Sequence, residues 1–213
     1  MIDPTDAPKL TGIDVSNHQG LVDWNFVAQN GVQFAFIKAT EGGTYQDLFY
    51  QKNMHGARAA GVPAGPYHFF RPKGPVALQV KNFLEVVGKS ETGDLPPVLD
   101  LEVPNDWGHF KVDERVEMVR EFITEIERAL GRNPIIYMSA SFSADILDEA
   151  EMLKDYPLWV AHHTTAPKPW VPKPWTFWTF WQHSDKGTIN GINGSVDINW
   201  FNGTIKQFQK FRD

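Results

Sequence analysis

The 213-residue chain contains no cysteine. That excludes disulfides, thiolate metal sites and a cysteine nucleophile. It leaves the compartment open, because a chain of this length can bury a core without covalent staples. An excess of basic residues is also missing. Twenty Lys and Arg against 26 Asp and Glu give a formal charge of −6, so no broad positive field exists to attract nucleic acid. No apolar run approaches the ~18 residues of a membrane span, so no membrane partner is expected. The opening MIDPTDAPKL lacks the basic, apolar and small-residue zones of a signal peptide, which fits a cytoplasmic start, a removed signal or release by another route. There is no G-x-S-x-G, phosphate loop, dinucleotide fingerprint or His-Glu-x-x-His. His162, His163 and His183 fall into no recognised metal spacing. Neither a metal nor a cofactor is expected.

Aromatic residues are abundant. Eight Trp, fifteen Phe and five Tyr make up 13% of the chain. Most such side chains fill a core, and a few can line a groove for a flat, partly apolar ligand such as a sugar ring. Short β-branched or aromatic runs occur at 12–17, 34–40, 63–70, 96–103, 134–140, 157–163, 177–184 and 195–201. Helix-length stretches separate the earlier ones. The clearest covers 112–130, where Val112, Val116, Val119, Ile123, Ile126 and Leu130 recur at helical spacing before Gly131. Stretches at 46–60, 75–88 and 143–154 read the same way. Strands alternating with helices predict a parallel sheet, and eight of them predict a closed α/β barrel. The last three runs start only about 20 residues apart, close to the minimum for a crossover. The expectation is a single modified TIM-type barrel with about five βα units followed by strands on short or irregular connections. Residues 1–11 read as an N-terminal extension and 12–213 as the barrel domain, with KPWVPKPW (168–175) a rigid loop.

Carboxylates interrupt several of the apolar runs. In PPVLDLEV (96–103), alternation puts Val98, Asp100 and Glu102 on one face of a strand. Burying two acids together is costly, and acid/base chemistry is a reason to tolerate it. Asp14 lies between Ile13 and Val15, and Asp197 between Val196 and Ile198. Lys38, Glu41, Tyr67 and His68 occupy similar places near strand ends, where barrel chemistry sits. One such Asp is commonly a satisfied structural group. Three, with a Glu, are harder to explain that way. Chemistry by carboxylates alone remains, and glycoside hydrolysis is its commonest form.

These segments resemble the family 25 glycoside hydrolases, the Chalaropsis-type lysozymes or N-acetylmuramidases. GIDVSNHQG, FAFIKATEG, RAAGVPAGPYHFF, PPVLDLE, PIIYMS, PLWVAHH, WQH and VDINWFNG follow in order from Gly12 to Gly203. The resemblance implies a (β/α)5β3 barrel and cleavage of the β-1,4 bond from N-acetylmuramic acid to N-acetylglucosamine in the glycan strands of peptidoglycan. It implies Glu102 as general acid, Asp100 as its partner, Asp14 and Asp197 as further active-site acids, and Tyr67 at the reacting sugar. His163 departs from the family's pattern, which carries Tyr there. Trp107, Trp175 and Trp181 are candidates for sugar stacking, and Lys38, Glu41, Gln182 and His163 complete the expected substrate-binding set. Glu102 is expected protonated and Asp100 ionised, either activating water or steadying the substrate's 2-acetamido group, with the second route favoured. A glycan-binding module and a chitooligosaccharide hydrolase are the alternatives. A monomer released to the cell wall is expected, as a phage endolysin or a trimmed secreted enzyme.

Overall fold

The structure is a computed structural model that describes residues 9–89 and 91–212. Most of the expected N-terminal extension, residues 1–8, lies outside the described residues, while Leu10 and Thr11 already belong to the first strand. The strands are β1 (Leu10–Val15), β2 (Phe34–Glu41), β3 (Tyr45–Gln46), β4 (Ala64–Phe69), β5 (Val98–Leu101), β6 (Ile135–Ser139), β7 (Leu158–Ala161), β8 (Phe180–Gly187) and β9 (Val196–Phe201). The helices are α1 (Trp24–Gln29), α2 (Tyr50–Ala59), α3 (Val76–Val87), α4 (Pro104–Trp107), α5 (Val112–Leu130), α6 (Phe142–Leu147) and α7 (Ile205–Arg212).

Eight strands close in the order β1-β9-β8-β7-β6-β5-β4-β2, with β1 paired to β2 and β3 appended to β2 as a short hairpin. Pairings from β1 through β2 and β4 to β8 are parallel. The last strand reverses direction and runs antiparallel to both β8 and β1. Five βα units are therefore followed by three strands, the (β/α)5β3 arrangement. Residues 162–179 join β7 to β8 without a helix, and the Pro-rich 168–175 segment lies in that connection.

Helix α5 spans the predicted residues. Glu114 accepts a hydrogen bond from the Lys111 N–H at its start (2.7 Å), and Gly131 takes φ 67° at its end, a left-handed conformation that costs glycine nothing. Its buried face is Val119, Phe122, Ile123 and Ile126. The helix expected at 143–154 is shorter. Asp148 and Glu149 both take positive φ and stop α6 at Leu147.

Strand alternation produces two cores. Outward residues such as Ile13, Ile37, Leu99, Leu101 and Val160 pack against the helices. Inward ones fill the barrel: Leu10, Phe34, Phe36, Leu95, Val98, Ile135, Trp159, Phe180 and Phe201, with Phe208 of α7 among them. Phe36 stacks on Trp159 at 4.3 Å, and Phe34 meets both Phe180 (5.2 Å) and Phe208 (5.5 Å). Gly12 makes room for this plug. A Cβ there would come 2.3 Å from the Phe34 ring.

Candidate active site

The inward positions turn polar towards the C-terminal ends of the parallel strands. Phe34 and Phe36 are followed by Lys38, Val98 by Asp100, Ile135 by Tyr137, and Phe180 by Gln182. On β1 the sequence runs from Gly12 to Asp14. On antiparallel β9 the order is inverted, so Asp197 and Asn199 precede Phe201. Of these, Asp14, Lys38, Asp100, Tyr137, Gln182 and Asp197 line a pocket of about 300 Å³, which also takes in Tyr67, Phe69, Glu102, Trp159, His163 and Asp185. The structure brings Asp14, Lys38, Tyr67, Asp100, Glu102, His163, Gln182 and Asp197 together there.

The acids form two pairs. Asp14 and Asp197 are direct cross-strand neighbours in the β1–β9 ladder. Asp14 Oδ2 accepts hydrogen bonds from the Asn199 amide (2.7 Å) and the Gln182 amide (3.1 Å). Each amide is itself oriented. The Trp159 indole donates to Asn199 Oδ1 (2.7 Å), and Tyr137 O–H donates to Gln182 Oε1 (3.1 Å), where His163 Nε2 also bonds at 3.1 Å. Burial pushes the Asp14 carboxyl well above the usual carboxylate range, and the charge of Asp197 adds to the shift. Asp197 is raised by burial too, while its hydrogen bond with Asp14 works in the other direction.

The second pair is Asp100 and Glu102, which line the same pocket and influence each other's ionisation. Burial raises Asp100 well above its ordinary value, and the neighbouring charge of Glu102 raises it further. Glu102 is raised less. Burial is again the main cause, and its interaction with Asp100 and the cations Lys38 and Arg71 pull it back. Both acids of the pair are thus held above the ordinary carboxylate range, with burial the main cause in each. Lys38 is buried, bonded to Glu41 Oε2 at 2.6 Å, and lies 4.7 Å above the Phe69 ring. A register slip between Lys38 and Thr40 in the β2–β4 ladder accompanies its placement.

Glu102 does not continue the strand, as the alternation argument assumed. Strand β5 ends at Leu101. Val103 takes φ 57° and ψ 71°, a left-handed conformation that costs a β-branched residue on the order of 1–3 kcal/mol. Pro104 then opens α4, and the Trp107 indole donates to the Glu102 main-chain carbonyl at 3.1 Å.

Three expected sugar platforms are corrected. Trp107 is 0% exposed, stacked on Phe70 and edge-on to Phe142. Trp181 is 1% exposed on the outer face of β8, its indole bonded to the His162 carbonyl. Trp175 is buried and bonded to the Tyr156 carbonyl. None offers a ring face to a ligand. Glu41 also stands outside the pocket lining. It bridges Lys38 to Arg71, which continues to Asp106. His68 is separated from Tyr67 by the pleat and lies among Phe83 and Phe122 outside the barrel, bonded to Thr40 and Gln79. Sequence reasoning missed Tyr137, Trp159 and Asn199. The available signal was Asn199 two residues from Asp197, and Tyr137 two from Ile135, each on the same strand face. Among the described residues no group of three or more His, Asp or Glu could hold a metal ion, and no helix is long and apolar enough to cross a membrane.

Comparison with known proteins agrees with this architecture. The profile of glycosyl hydrolases family 25 matches residues 13–192. Uncharacterized protein YegX of Escherichia coli K12 is 41% identical over 209 residues, covering 96% of this chain and 74% of that one. Lysozyme M1 of Streptomyces globisporus is 35% identical over 211 residues, covering 95% of this chain and 71% of its own. The crystal structure of the lysozyme from Streptomyces coelicolor superposes with a TM-score of 0.90 at 33% identity, covering 97% of this chain and 98% of that one. An eight-stranded barrel with a reversed last strand, an acid-lined mouth and a family match across most of its length lead to one conclusion: the chain belongs to glycosyl hydrolases family 25 and is a glycoside hydrolase.

Proposed function

We propose that the protein is a muramidase that hydrolyses the β-1,4 bond between N-acetylmuramic acid and N-acetylglucosamine in peptidoglycan, acting as a monomer released to the cell wall. The observation that carries this reading is the convergence of Asp14, Asp100, Glu102 and Asp197 on one pocket at the mouth of the barrel, where burial raises the Asp100 and Glu102 carboxyls. Relatives named lysozyme and N,O-diacetylmuramidase support the substrate class.

In this reading the 2-acetamido N–H of the bound sugar donates to Asp100. A carboxylate is the better acceptor, so the pair's proton passes to Glu102 and arms it as general acid. Glu102 then protonates the leaving glycosidic oxygen while the acetamido oxygen closes on C1. Glu102, now ionised, takes a proton from the water that reopens the ring, giving retained configuration. Tyr67 and Tyr137 border the reacting sugar, and the Asp14–Asp197 pair sets the charge on the opposite side of the barrel seam.

Product analysis on defined peptidoglycan, run beside chitin, tests the assignment. The expected products carry reducing-end N-acetylmuramic acid. Cleavage of chitin alone would replace this reading with a chitooligosaccharide hydrolase. NMR of the first-formed anomer tests the route, and an inverted product would assign Asp100 to water activation.

A further inference from the structure

Trp107 is a fully buried side chain near the site with no part in binding or chemistry, and Val103, four residues before it, holds a left-handed backbone. The two are connected. Val103 follows Glu102 directly, and Pro104 at the next position disfavours right-handed helical backbone at Val103. The alternative to its left-handed conformation is extended backbone, which would continue β5 and carry Glu102 along a regular strand. What opposes that relaxation is visible. The Trp107 indole donates to the Glu102 carbonyl at 3.1 Å, and the Asp106 N–H donates to the Val103 carbonyl at 2.9 Å. Trp107 is locked by Phe70 at 5.5 Å and Phe142 at 5.6 Å. Asp106 is held by Arg71 and Lys73. Every support of the turn converges on α4.

We propose that Trp107 is a positioning residue: its indole N–H pins the main chain of Glu102 against the backbone strain of Val103 and so keeps the Glu102 carboxyl in contact with Asp100. This rests on the acid roles given above. The bond is worth having only because Val103 is strained, and that dependence makes the idea testable.

The experiment is a double-variant cycle on the full chain. Trp107→Phe removes the donor and keeps an aromatic ring. Replacing Trp107 with 3-benzothienylalanine removes the same donor with the shape retained, and stands in if the Phe variant does not fold. Val103→Asn introduces the residue type that tolerates left-handed backbone best after glycine. Loss of the donor should lower kcat on peptidoglycan about 10- to 100-fold with KM within about twofold. Adding Val103→Asn should restore at least tenfold of it. A carbon-13 NMR titration of the Asp100 and Glu102 carboxyls reads the same contact without substrate. In the donor-free variant the pair should titrate closer to ordinary carboxylates, and Val103→Asn should reverse that. Unchanged kcat and titration without the donor, or a loss that Val103→Asn fails to repair, would overturn the proposal. Wild-type protein inactive on peptidoglycan would instead remove the muramidase reading, and the titration would still decide the role of Trp107.

Discussion

The lower and upper halves of the barrel interior are built on the same strands and obey opposite rules. Below, Phe34, Phe36, Trp159, Phe180 and Phe201 interlock with few polar atoms to satisfy. Above, within one or two side-chain layers, Asp14, Asp100 and Asp197 are crowded together at a cost the pKa shifts record. The lower half stabilises, and the upper half draws on that stability. Trp159 and Asn199 join the two. One indole stacks on Phe36 and at the same time orients the amide that bonds Asp14. Stability and chemistry are thus segregated by height along a strand, with a shared hydrogen-bond layer between them.

That segregation can be broken from either side. Glu102→Gln should cost about 10⁴-fold in kcat, the upper end of a general acid's contribution, with the thermal midpoint hardly lowered. An assay of purified variant on cell walls, beside a melting curve, checks both halves of the claim. Phe180→Ala should do the reverse. Removing a ring that touches Phe34, Phe36 and Phe201 should cost about 3–5 kcal/mol of stability, while kcat measured well below the melting temperature stays within a few-fold. Urea unfolding gives the first number.

His68 offers a third test outside both halves. Burial lowers its pKa from 6.5 to about 4. The folded state therefore binds fewer protons than the unfolded chain between those values, so stability is complete above about pH 6.5 and falls as pH drops towards 4. The full loss corresponds to about 3 kcal/mol. His68→Phe should flatten that part of the pH–stability curve. The smallest effect is expected from Asp14→Asn. The raised Asp14 pKa means that the folded protein loses stability as pH rises above the ordinary carboxylate value near 4. The variant should therefore be more stable than the wild type at pH 7, and the gain should vanish by pH 3. Equal gains at both pH values would show that charge is not its source.

Much of this was legible in the chain. Alternation located the inward acids because each sits between apolar residues that face outward, as Ile13 and Val15 do around Asp14. The spacing of the last three runs anticipated the loss of crossover helices. Two things were hidden. Aromatic residues occupy both faces of β8, so nothing local separates inward Phe180 from outward Trp181. Nor does a Val in an apolar run announce a left-handed turn, because only the packing of α4 makes that conformation hold. The hydrogen-bond layer of Tyr137, Trp159 and Asn199 joins three strands distant in sequence.

The seam between β1 and β9 has a consequence in time. Asp14 comes from the first strand of the barrel and Asp197 from the last, yet they face each other in one ladder. A nascent chain that has not yet delivered Val196–Phe201 holds Asp100 and Glu102 but has an open barrel and half of the other pair. The acid cluster is therefore complete only once β9 has been made and has docked between β8 and β1.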